Sequence, residues 1–175
     1  MHSVTLITGI MASGKSSVAQ ALAERLSPSV HVRGDAFRRM IVNGREDMTS
    51  PPSEAALRQL DLRYRLMVSA ALAYRDAGFH VVCQDVILGD ALSEVVAMFG
   101  NTPVDVVVLC PRPDVVATRE TQRRKTGYVG FTVEDLDRSL RQETPRIGRW
   151  IDSSDLTVEE TVDAILSGRT SRQRR

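Results

Sequence analysis

The chain has 175 residues, 23 basic and 22 acidic side chains, and a formal net charge of +1. That length suits one domain with one hydrophobic core and excludes a multidomain machine or half a transporter. Near-zero net charge argues against a dedicated nucleic-acid coat, and 42% hydrophobic with 26% charged residues excludes wholesale disorder.

In chain order, short β-rich runs alternate with longer helical segments. Val4–Thr8 reads as a first strand, and Ser16–Leu26 as a helix with Val18, Ala19, Leu22, Ala23 and Leu26 at helical spacing. Val30–Arg33 is a second strand, and Asn43–Ser53, with Pro51 and Pro52, reads as a mobile loop. A long helix is predicted over Glu54–Ala77, with Leu57, Leu60, Tyr64, Met67, Ala71 and Tyr74 along one stripe and Gly78 as its stop. His80–Gln84 is a third strand and Ala91–Phe99 a helix. Val104–Leu109 is a nearly continuous apolar run, as expected of a strand covered on both faces. Asp114–Arg124 and Val133–Arg141 are further helices. Arg149–Asp152 is a short last strand, and Val158–Leu166 a closing helix capped by Thr157.

This alternation predicts right-handed crossovers and an α/β fold, a parallel sheet with helices on both faces. Residues 1–167 read as one domain and 168–175 as an Arg-rich, flexible, solvated tail. Cys83 and Cys110 each follow a valine run and read as buried thiols, without the spacing of a zinc site. No apolar run reaches the roughly 18 residues a membrane helix needs. The stretch Val4–Ala12 has neither the basic lead nor the cleavage site of a signal peptide, so a cytoplasmic location and no membrane partner are expected.

Gly9-Ile10-Met11-Ala12-Ser13-Gly14-Lys15-Ser16 fits G-x-x-x-x-G-K-[ST] without a mismatch. The chemistry needs each piece. Glycines let backbone wrap closely around phosphate oxygens with successive N–H groups inward, and the helix that follows directs its positive end at the same anion. Lys15 reaches the terminal phosphates and the Ser16 hydroxyl can ligate Mg²⁺. Lys15 is one of only two lysines in the chain, the other being Lys125. Gly9, Met11, Ala12, Ser13, Gly14, Lys15, Ser16 and Ser17 are therefore the expected nucleotide-binding residues, with ATP and Mg²⁺ as cofactors.

Three classes of P-loop protein compete. A guanine-nucleotide switch would carry Asn-Lys-x-Asp, and neither lysine sits in that context. A hydrolytic motor puts a Glu beside the magnesium-side Asp, whereas the third strand ends Gln84-Asp85-Val86. A kinase explains more. Asp85 lies at the carboxyl end of a strand, where open α/β sheets hold ligands, and can support Mg²⁺ through water. Asp35 ends the second strand in Arg33-Gly34-Asp35, where a carboxylate can accept the proton of an attacking hydroxyl; a plain helix cap is the compatible alternative. Asp105 begins the fourth strand at the opposite edge and reads as structural. Arg112, Arg119, Arg123, Arg124 and Lys125 cluster after the fourth strand, and Arg119 and Arg123 share a helix face. They read as a lid, one arginine on adenine and another clamping phosphate, against the alternative of a solvated basic helix end. Arg38 and Arg39, one turn past Asp35, are candidates for meeting an anionic acceptor.

Together the loop at Gly9–Ser16, Gly34-Asp35, Val81–Val86, Cys110-Pro111-Arg112-Pro113 leading to Arg119 and Arg123, and Trp150–Ser154 resemble the small P-loop kinases that include chloramphenicol phosphotransferase, adenylylsulfate kinase and the zeta-toxin kinases. The likeness to the chloramphenicol phosphotransferase-like group is greatest. The resemblance implies a three-layer P-loop NTPase fold with a five-stranded sheet of order 2-3-1-4-5, Asp35 as base, and Arg119 and Arg123 on the lid. It implies an ATP-dependent phosphotransferase that moves a γ-phosphoryl group to a hydroxyl of a small molecule, with Asp35, Lys15 and Arg123 as catalytic residues. A nucleoside, nucleotide or nucleic-acid-end kinase stays open on the basic stretches around 33–45 and 138–149, as does a non-catalytic nucleotide-binding module. A homodimer also stays open.

Overall fold

Five strands, β1 (Val4–Thr8), β2 (Ser29–Arg33), β3 (His80–Gln84), β4 (Val104–Leu109) and β5 (Arg149–Ile151), form one parallel sheet in the computed structural model, which describes residues 3–122 and 130–172. Their order is β2-β3-β1-β4-β5. β1 lies at the centre, with Val4 opposite both Val81 and Val104. Helices α1 (Lys15–Glu24) and α7 (Val158–Arg172) cover one face. α3 (Glu54–Asp76), α4 (Ala91–Met98), α5 (Pro113–Thr121) and the turn after α6 (Val133–Arg138) cover the other. The apolar runs of the strands follow from this. Leu6, Val81, Cys83, Val106 and Val108 face the α3 side, while Ile7, Val82, Val107 and Leu109 face α1 and α7. Successive residues of the central strands are thus buried on opposite faces, so alternation disappears from the sequence. The sheet order and the helices on both faces agree with the P-loop NTPase architecture expected above.

Local chemistry sets the helix ends. Ser53 accepts a hydrogen bond from the Ala56 N–H and starts α3. At its other end, Gly78 N–H donates to Arg75 O and Phe79 N–H to Tyr74 O, the paired bonds of a Schellman stop. Thr157 and Glu160 exchange side-chain-to-backbone bonds at the start of α7, a capping box. Several expectations change, and the closing helix runs on to Arg172 rather than ending at Leu166. The stripe of α3 is Ala56, Leu60, Tyr64, Met67, Val68 and Ala71, whereas Leu57 and Tyr74 are 47% and 45% exposed. Both lie toward the ends of the helix, where Tyr74 meets Phe79 edge to face. The helix predicted over Val133–Arg141 ends as α-helix at Arg138 and continues as a π-helical turn, Ser139–Glu143. The widened turn aims Arg141 back at the end of β4, where it donates to the carbonyls of Cys110 and Pro111 and pairs with Asp137. A short helix α2 (Gly34–Arg39) follows β2 directly.

Cys83 and Cys110 are free and buried, and burial pushes the Cys83 thiol up to about 12. Asp105 pairs with Arg149 at 2.6 Å, which ties β4 to β5 on the side of the sheet away from the loop after β1. Among the described residues no helix is long and apolar enough to cross a membrane.

His31 on β2 gives a pH test of the fold. Burial, with help from Arg33, pulls its pKa down to about 4 from 6.5. Between those values the unfolded chain holds a proton that the folded chain does not, so stability rises with pH there and is lost as pH falls toward 4. Screening at the half-exposed ring leaves on the order of 1 kcal/mol. Thermal unfolding of His31→Gln, which keeps a partner for Gln20, is expected to show a shallower pH dependence than the parent between pH 6.5 and 4. Equal slopes would remove His31 as the cause.

Candidate functional site

The carboxyl end of β1 runs into a loop whose shape is set by close approach. At Gly9, with φ +148°, a Cβ would lie 2.4 Å from the Leu109 carbonyl oxygen, so any side chain would push the loop off β4. Ser13 N–H closes a turn on Ile10 O at 3.3 Å. Ala12 holds φ +60°, a conformation that costs a non-glycine residue roughly 1–2 kcal/mol and persists only where the surroundings enforce it. α1 begins at Lys15, directly after Gly14, so its first N–H groups point into the loop. The Lys15 ammonium is buried and donates to Ile10 O at 2.7 Å. Ser13 is buried as well, and its Oγ has no hydrogen-bond partner among the described residues. A buried hydroxyl left over in a concave ring of amides is what a loop that receives an oxyanion presents.

The neighbouring strands bring carboxylates to this loop. Gln84, the last residue of β3, donates from Nε2 to the Ser16 hydroxyl at 3.2 Å. Asp85 follows and is 4% exposed. Its Oδ1 accepts from the Val86 N–H at 2.7 Å, and its Oδ2 lies 2.9 Å from Arg63 Nε, an ion contact rather than an aligned hydrogen bond. Burial pushes the Asp85 carboxyl up; Arg63, the Val86 N–H and Lys15 pull it down, and Asp35 pushes it up again. Lys15, Asp35 and Arg63 thus all lie within electrostatic reach of Asp85. Thr8 fixes the next residue of this segment, accepting from Ile87 N–H and donating to Ile87 O, both at 2.9 Å. Tyr64 Oη adds a bond to Val86 O at 2.7 Å.

Asp35 stands on the first turn of α2, half exposed, with Arg39 Nη2 at 2.8 Å. Arg38 pairs with Asp47. Gln59 on α3 holds the facing loop, accepting from Glu46 N–H and donating to Gly44 O. A cavity of about 20 Å³ remains between α2, this loop and α3, lined by Arg38, Glu46, Gln59, Leu60 and Arg63 among others. On the other side of the P-loop, Arg119 Nη1 lies 4.0 Å from where a Cβ on Gly14 would sit, and Nη2 donates to Ser153 O at 3.2 Å. Arg112 is held by a two-pronged contact with Asp155, at 2.8 and 3.0 Å.

The expected site residues are therefore distributed as follows. Gly9, Met11, Ala12, Ser13 and Gly14 form the loop and Lys15, Ser16 and Ser17 open α1 after it; Arg119 lies near Gly14, Asp85 is within electrostatic reach of Lys15 and Asp35, and Arg38 and Arg39 each face a carboxylate. Arg123, Arg124 and Lys125 lie outside the described residues. Sequence reasoning missed Arg63. An arginine beside the buried stripe of an amphipathic helix reads as solvent-facing, and only the tertiary fold brings it to Asp85.

Among the described residues no three His, Cys, Asp or Glu side chains gather as a metal site. Magnesium that travels with a nucleotide needs fewer protein groups, because phosphate oxygens and water fill most positions. The Ser16 hydroxyl and the Asp85 carboxylate, beside a cradle with an orphaned Ser13 Oγ, fit that donor set.

Residues 4–144 match the AAA domain family. No curated protein sequence matches the chain. Solved structures that resemble it include the tunicamycin resistance protein of Deinococcus radiodurans, 22% identical with a TM-score of 0.70, covering 96% of this chain and 95% of that one. The APS kinase of Mycobacterium tuberculosis in complex with AMPPNP and APS is 18% identical with a TM-score of 0.71 over 95% and 96% of the two chains. A gluconokinase from Sinorhizobium meliloti is 20% identical with a TM-score of 0.65 over 95% and 90%. At these identities the likeness carries the fold. The match over residues 4–144, with the sheet order and the loop between β1 and α1, shows that this chain belongs to the AAA domain family of P-loop proteins.

Proposed function

We propose that the protein is an ATP-dependent kinase that transfers the γ-phosphoryl group to a hydroxyl of a small molecule. The observation that carries this reading is that Asp85, at the end of β3, lies within electrostatic reach of both Lys15 and Asp35, beside a Gln84 bonded to the Ser16 hydroxyl. The amides of Gly9–Ser16 and the Lys15 ammonium bind the β- and γ-phosphates. Ser16 holds magnesium directly and Asp85 through water; the ion supplies positive charge to the phosphate oxygens. The acceptor oxygen attacks the γ-phosphorus as the bond to the β–γ bridging oxygen breaks, and that electron pair leaves with ADP. Asp35 orients the acceptor hydroxyl and takes its proton. Arg119, near Gly14, and Arg123 offset the charge of the transition state. Arg38 and Arg39 meet the acceptor where it is anionic.

The resemblance to gluconokinase and APS kinase supports phosphoryl transfer over hydrolysis, as does the strand end Gln84-Asp85-Val86, which has no Glu beside the Asp to activate water. The test is a screen of hydroxyl-bearing metabolites, antibiotics and nucleosides with γ-labelled ATP. Label is expected on one acceptor class, with one ADP released per labelled product. Release of labelled inorganic phosphate alone, whatever acceptor is added, would overturn the reading.

A further inference from the structure

We infer that Arg63 is a positioning residue for magnesium-dependent nucleotide binding, and that it acts by holding the Asp85 carboxylate against the bare backbone of Gly34. The inference rests on the kinase reading above for the role of Asp85.

Three observations carry it. First, the pair is enclosed: the side chains of Arg63 and Asp85 are 14% and 4% exposed at a separation of 2.9 Å. A buried carboxylate without a cation beside it is costly, so Arg63 holds the Asp85 carboxylate in place. Second, the opposite side of the same oxygen is fixed by an absence of atoms. A Cβ on Gly34 would lie 2.0 Å from Asp85 Oδ2, so the carboxylate occupies the space that a side chain there would fill. Third, Arg63 acts alongside its neighbour on α3. Tyr64 bonds Val86 O while Val86 N–H bonds Asp85 Oδ1, so one helical turn anchors both the carboxylate and the backbone after it. The ion pair that Arg63 makes is with Asp85. Its effect on the nucleotide passes through Asp85.

Displacing a carboxylate that stands behind a metal's direct ligands typically changes metal affinity by about 10–100-fold. Calorimetric titration of Mg²⁺ into the full chain saturated with a non-hydrolysable ATP analogue is expected to show that loss for Arg63→Met. Binding of the same analogue in EDTA should stay at the parent value, a split that simple unfolding would not give. Arg63→Lys is expected to recover most of the Mg²⁺ affinity. Gly34→Ala, which leaves Arg63 in place and displaces Asp85 Oδ2, should reproduce the loss, and it decides the matter if Arg63→Met does not fold. Parent-like Mg²⁺ affinity in Gly34→Ala, or in a folded Arg63→Met, would overturn the inference. If the parent itself binds the analogue equally well with and without Mg²⁺, the magnesium role of Asp85 fails and this inference falls with it; the labelled-transfer screen is unaffected by that outcome.

Discussion

Lys15→Ala is expected to lower phosphoryl transfer by about a thousandfold while the protein stays folded. The ammonium is buried at the N-terminal end of α1, in the same ring as the loop amides. A point charge there, screened little by water, attracts the phosphate oxygens more strongly as charge builds on them in transfer. Removal also takes a donor from Ile10 O, so the loop loses an internal tie. Two measurements check this: single-turnover transfer from γ-labelled ATP, and calorimetric ATP affinity with magnesium. Near-normal turnover in the variant would contradict the assignment of the loop as the phosphate cradle.

Asp35→Asn should slow transfer by about a hundredfold to ten-thousandfold, with ATP affinity changed little. The amide keeps the size of the side chain and a contact for Arg39, but it cannot take a proton from the acceptor. Asp35 is half exposed and lies on a helix of a single turn and a half, so its loss should not unfold the protein. The reading requires the effect to appear in the transfer step. A collapse of ATP affinity with an unchanged residual rate would make Asp35 a structural residue instead.

Much of the fold can be read from the residues because the signals are local. The nearly continuous apolar run of β4 announces a strand buried on both faces, and Gly78 and Thr157 mark helix ends through bonds made within a few residues. The P-loop is legible for the same reason, since its glycines, Lys15 and Ser16 lie in one stretch of chain. Arg63 is not legible, because its partner arrives through the crossover between α3 and β3. The exposure of Leu57 and Tyr74 is also hidden: periodicity says which residues share a helix face but not where the sheet beneath that face ends. The π-turn at Ser139–Glu143 escapes too, since its cause is the distant carbonyls that Arg141 reaches.

Residues 40–53, between α2 and α3, contribute no buried side chain, whereas Tyr64, Met67, Val68 and Ala71 of the adjoining helix lie deep in the core. Amides in 40–53 should therefore exchange with deuterium through local fluctuations, and those near Met67 only when the whole domain opens. A stretch thermodynamically uncoupled from the rest can be rewritten at little cost to folding. On the kinase reading proposed above, altering that stretch would change which acceptor is met while the machinery around β1 stays as it is.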